Sequence, residues 1–179
     1  MLVAALAACA PTPPAAPSPG GTDGAAPNPS ASDDPSTWTV GFDGVGPLAL
    51  GDEIDDARTM FEPLKAEEPD PACPGVVFLS HDGYEIWLVL DTPDYRVVEE
   101  IVVTGGGPST AEGIGVGSTL AEARAAYPGA TESLAEGGSP VLSAPGDGGG
   151  WLNFSADSDE IVQSVNVGPY EGGGINYCE

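Results

Sequence analysis

Gly117-Ser118-Thr119-Leu120-Ala121-Glu122-Ala123-Arg124-Ala125-Ala126-Tyr127 is the stretch from which the rest of the chain can be read. Thr119 and Glu122 stand at the capping-box spacing. The hydroxyl can accept from the third backbone N–H while the carboxylate reaches back to the cap. Leu120, Ala123, Arg124 and Tyr127 recur at helical spacing and form one apolar stripe, along which the arginine stem can lie. Pro128-Gly129 stops the helix. The stretch has an echo, 66 residues earlier, at Gly51-Asp52-Glu53-Ile54-Asp55-Asp56-Ala57-Arg58-Thr59-Met60-Phe61. Gly51, Ala57 and Arg58 fall on Gly117, Ala123 and Arg124, while Ile54, Asp56 and Phe61 fall on Leu120, Glu122 and Tyr127. Such self-similarity marks a duplicated unit. In the first copy Glu53 replaces the capping threonine, so Asp52 is the expected cap, and Pro63 ends that helix.

Strands follow each helix. Val76–Ser80 and Glu85–Leu90 flank His81-Asp82-Gly83, and Asp-Gly between two strand-like runs signals a hairpin. Arg96–Val103 reads as a third strand. A shift of 64 residues brings Trp87-Leu88 onto Trp151-Leu152 and Leu90 onto Phe154. The same shift brings Val97, Val98, Ile101 and Val103 onto Ile161, Val162, Val165 and Val167. Ser139–Ser143 is the counterpart of the first strand, and Trp38–Phe42 precedes the first helix as Arg96–Val103 precedes the second. The expected fold class is α+β. Two tandem repeats, about residues 46–105 and 113–168, each supply a short helix and a three-stranded antiparallel meander. The helices are expected on one face of the sheet.

The duplicated unit, with Gly-x-Thr-x-x-Glu opening its helix, resembles secreted proteins of the β-lactamase-inhibitory-protein type. It also resembles the small outer-membrane lipoproteins of the barrel-assembly accessory family. The run from Gly113 to Ala130 is similar to that of many actinobacterial lipoproteins. The resemblance spans about residues 46–167 and rests on structural motifs. It implies a fold, and a function exercised by binding other proteins. No binding residue can be carried over by position.

Met1–Cys9 is apolar and ends in Leu6-Ala7-Ala8-Cys9, which resembles a bacterial lipobox. The expectation is a signal remnant over residues 1–9 with a lipid on Cys9, although no Lys or Arg precedes Arg58. Residues 10–36 are dominated by Pro, Ala, Gly and Ser and contain no aromatic residue. They are read as a disordered tether leading to a folded domain over residues 37–179. That domain carries 25 of the 28 acidic residues and all four basic ones. Such charge repels nucleic acid and favours cationic or protein partners in the envelope. A monomer is expected. With Cys9 lipidated, Cys73 and Cys178 remain, and in a chain placed outside the membrane a disulfide between them is the economical reading. It would close a loop of about 100 residues, constraining the unfolded state by up to about 4.7 kcal/mol in the chain-entropy treatment.

Strand alternation assigns faces. Ile86, Leu88, Leu90, Leu152 and Phe154 share the apolar face that the helices should cover. Trp87 and Trp151 then lie on the opposite face with Glu100, Val102, Asn153 and Asn166, a candidate binding face anchored by tryptophan. No nucleophile motif or phosphate loop is present, and His81 beside a turn reads as a bystander. Asp91-Thr92-Pro93-Asp94 and Asp157-Ser158-Asp159-Glu160 occupy equivalent loops. Clustered carboxylates could hold Ca²⁺, but the spacing is not that of a known calcium loop, so no metal and no cofactor is expected. The reading is an extracytoplasmic, membrane-anchored, non-enzymatic binding module. The alternatives are a carboxylate enzyme acting on a wall polymer or glycan, and an inhibitor of a secreted enzyme.

Overall fold

The computed structural model describes residues 34–60, 65–66 (backbone only), 71–135 and 137–173. Pro63 and both Cys9 and Cys178 lie outside these residues. Chain order begins with three two-residue strands, β1 (Thr39–Val40), β2 (Gly44–Val45) and β3 (Leu48–Ala49), then the helix α1 (Ile54–Ala57) and β4 (Lys65–Ala66). A meander follows: β5 (Val76–His81), β6 (Tyr84–Leu90) and β7 (Val98–Gly105). After β8 (Ser109–Thr110) come the helix α2 (Leu120–Ala126) and β9 (Thr131–Leu134). A second meander, β10 (Pro140–Pro145), β11 (Trp151–Ala156) and β12 (Val162–Gly168), completes the described elements.

The main sheet has eight strands in the order β4-β5-β6-β7-β12-β11-β10-β9, every neighbouring pair antiparallel. Its centre is the β7–β12 pair, where Ile101 opposes Val167 and Val103 opposes Val165. A smaller sheet runs β3-β2-β1-β8, with β1 and β8 parallel. The core forms between them. Ile86, Leu88, Ile101, Val103, Leu152, Phe154, Val165 and Val167 belong to one cluster with Trp38, Val40, Val45 and Leu48.

The expected α+β architecture is therefore contradicted: the chain is mostly β, and its helices do not form a layer. α1 spans four residues and α2 seven. They bury only Ile54 and Ala57, and Leu120 and Ala123. One or two turns present too little apolar surface to close an eight-stranded face, and the small sheet supplies further apolar cover. Trp38–Phe42 is also not a counterpart of β7. Its strand Thr39–Val40 leaves the main sheet and pairs with β2 and, in parallel, with β8.

Equivalent bonds fasten the two helix starts to the sheet. Gly51 and Gly117 donate to the carbonyls of Val98 and Val162, and Ile54 and Leu120 to those of Arg96 and Glu160. The caps differ. Thr119 Oγ1 accepts from the Glu122 N–H, and the Glu122 carboxylate accepts from Thr119 N at 2.8 Å. Glu53 makes no side-chain cap, and Asp52 does not cap either; its carboxylate accepts from the N–H of Ala49. Thr119→Ala is accordingly expected to cost about 1 kcal/mol in chemical denaturation. Among the described residues no helix is long and apolar enough to cross a membrane.

Candidate functional site

Register places the sequence-derived binding face in rows across the outer side of the sheet. One row reads Phe78, Trp87, Val102, Asn166, Asn153, Ser143. A second reads Val76, Val89, Glu100 on one side, and Gly168, Trp151, Pro145 on the other. All six residues expected on this face are on it. Four of them are nevertheless buried: Glu100 is 4% exposed, Val102 2%, Asn153 0% and Asn166 5%. Trp87 and Trp151 are half-buried. Trp87 packs edge-on against Phe78, and its indole N–H donates to Glu85.

The chain's own segment 170–173 crosses this face. The Asn153 side chain donates to the carbonyl of Tyr170 at 3.0 Å and accepts from the N–H of Gly172 at 2.8 Å. Gly172 N–H also reaches Ser143 Oγ. Thr131 donates to Glu171, and the Tyr170 hydroxyl to Glu99, which raises the Tyr170 phenol above its ordinary range. Asn166 donates to the buried Glu100 carboxylate. Buried polar groups require such partners. The polar residues of this row thus hold the chain itself. Cys73 is buried near the start of β5.

The acidic loops also have structural work. Asp91 Oδ1 accepts from the N–H of Val97 at 2.8 Å and of Arg96 at 2.9 Å, which holds its carboxyl below the usual range. Asp157 Oδ1 accepts from Asp159 and Ile161 in the equivalent loop. Both are side-chain-to-backbone clamps, and the Asp157–Asp159 bond is of the Asx type. In each, one carboxylate oxygen is engaged by the turn backbone. Among the described residues no group of three or more His, Cys, Asp or Glu could hold a metal ion. His81 lies at the β5–β6 turn, 4.0 Å from Asp34 and 3.9 Å from Asp82.

An open cleft of about 630 Å³ lies at the other end of the sheet. Phe42, Leu50, Pro145 and Pro169 give it apolar walls, and the β10–β11 turn over residues 146–150 closes one side. The glycines at the two ends of the turn are there for a steric reason. A Cβ on Gly150 would stand 2.2 Å from the Phe42 carbonyl oxygen, and one on Gly146 would stand 2.7 Å from the Phe42 ring. Phe42 is backed by an aromatic chain. Its ring meets Tyr127 edge-on at 6.2 Å, and Tyr127 stacks on the fully buried Phe154 at 5.4 Å. Burial, then the hydrogen bond to Glu112, pushes the Tyr127 phenol far above its ordinary range. Asp43 and Asp147 complete the lining, both exposed to solvent.

Sequence patterns single out none of these wall residues. The glycine run signals a turn, but nothing local links it to Phe42. Trp151, which alternation does single out, sits beside the cleft, opposite Pro145 and Gly168. Comparison with protein-family models, curated proteins and solved structures finds no match to this chain.

Proposed function

We propose that this chain is an extracytoplasmic lipoprotein, held to the membrane by a lipid on Cys9, whose folded part is a non-enzymatic binding module. One observation carries the binding part of this reading: the position of the cleft relative to the point where the chain enters. Asp34 lies beside His81 at the β5–β6 end of the main sheet. The cleft lies beyond Pro145 and Trp151, at the opposite end. A tether rich in Pro, Ala, Gly and Ser would therefore present the cleft away from the membrane. A Cys73–Cys178 disulfide fits the same oxidising location. The volume falls within the range of small-molecule sites, as do apolar walls carrying a few polar groups.

The carboxylate-enzyme reading finds two acids, Asp43 and Asp147, in one cleft. A glycosidase-type general acid must stay protonated near neutrality, which enzymes achieve by apolar burial. Both aspartates are exposed rather than enclosed by apolar side chains.

Cys9→Ser, expressed with the native upstream region, is expected to move the protein from the membrane fraction to the medium. Unchanged fractionation would refute the anchor. Crosslinking in the native envelope is expected to recover a discrete bound species, and its absence would count against the module.

A further inference from the structure

We propose that the cleft beside Phe42 binds a small organic cation with an apolar or aromatic body; this deepens the binding reading above and rests on it. The argument is one of charge and wall chemistry. The whole chain has a formal charge of −24 with only four basic residues. Its three arginines are engaged elsewhere: Arg58 with Asp55, Arg96 with Glu53, and Arg124 with Glu132 and Glu160. Among the described residues no basic side chain lines the cleft. Asp43 and Asp147 differ from Asp52, Asp91 and Asp157, whose oxygens accept backbone N–H groups. Among the described residues no hydrogen bond or ion pair engages either of the cleft carboxylates. Two uncompensated carboxylates on one cleft attract a cation.

The walls decide what kind of cation. A bare divalent ion such as Ca²⁺ requires six to eight oxygen ligands. Phe42, Leu50, Pro145 and Pro169 offer mostly carbon. Such surface gains by covering an apolar body, and an aromatic ring in the wall also attracts an alkylated ammonium group. Exposed carboxylates and apolar surface in one cleft match an amphiphilic amine or quaternary ammonium compound.

Benzyltrimethylammonium is the probe, titrated calorimetrically into the full chain at low salt. Benzyl alcohol is the uncharged control and tetramethylammonium the control without an aromatic body. Saturable one-site binding is expected for benzyltrimethylammonium, at least tenfold tighter than for either control. The pair Asp43→Asn and Asp147→Asn should weaken it at least tenfold with an unchanged melting temperature, since neither side chain supports the fold. The pair Asp82→Asn and Asp94→Asn, equal in charge removed, should change it less than twofold. Absent saturation, or equal losses from both pairs, would overturn the proposal. Envelope crosslinking that persists without cation binding would contradict the ligand class and leave the module standing. Cation binding without a crosslinked species would contradict the module and leave the cleft's chemistry standing.

Discussion

Phe154→Ala is expected to destabilise the protein by about 3–5 kcal/mol, lowering the melting temperature by roughly 10 °C. Phe154 is fully buried and lies on β11, where its ring stacks on Tyr127, which in turn meets Phe42. The substitution removes transfer free energy and leaves a cavity in a close-packed interior. It also removes the surface against which Tyr127 rests, and so the backing of the cleft wall. Stability and cation binding should therefore fall together. Tyr127→Phe serves as a milder control. It keeps the ring contacts and removes the hydroxyl with its bond to Glu112, so it should cost about 1 kcal/mol and leave the cleft intact. A Phe154→Ala protein as stable as the parent would show that the ring is not packed as described.

Gly150→Ala is the second large effect, expected at about 2–3 kcal/mol. Its Cβ would meet a backbone oxygen at 2.2 Å, and backbone cannot rotate away as a flexible side chain can. The turn must then move off Phe42, opening the cleft on that side. Gly148→Ala, two residues away, is the comparison. A methyl group there would have nothing within 4 Å, so its effect should stay within about 0.5 kcal/mol. Parallel thermal melts of the two variants decide the point. Equal melting temperatures would contradict the close approach of this turn to Phe42.

Features written in local chemistry were legible in the sequence. The capping box at Thr119 and Glu122 depends on a fixed offset and is present. Asp82-Gly83 joins two strands whose pairing ends at His81 and Tyr84. Alternation places Ile86, Leu88, Leu90, Leu152 and Phe154 inward, and all are buried. What fails is inference across distance. The stripe ending in Tyr127 suggests a helix broad enough to roof a sheet. The backbone at Tyr127 has instead already departed from helical geometry, with φ −123°, and its ring serves the cleft. Strands of two residues, such as Thr39–Val40 and Ser109–Thr110, are too short for alternation to carry meaning, and their parallel pairing joins distant parts of the chain.

The candidate face shows the same division. Alternation correctly groups Glu100, Val102, Asn153 and Asn166 on the outer side. It cannot reveal that residues 170–173 cross that side, because Tyr170-Glu171-Gly172-Gly173 has no apolar period to mark it as packed. Polar side chains on an outward face signal exposure only when nothing else in the chain covers them. The acidic loops mislead for a related reason. Sequence displays the carboxylates of Asp91 and Asp157 but not the backbone N–H groups that use their lone pairs.

Amide NMR on the Cys9→Ser protein, titrated with benzyltrimethylammonium, tests the cleft as the binding site most directly. Saturable shifts are expected at Phe42, Asp43 and residues 146–150, with the turn at Asp82-Gly83, at the far end of the sheet, silent. Shifts centred on that far turn, or spread evenly over the acidic surface without saturation, would contradict it.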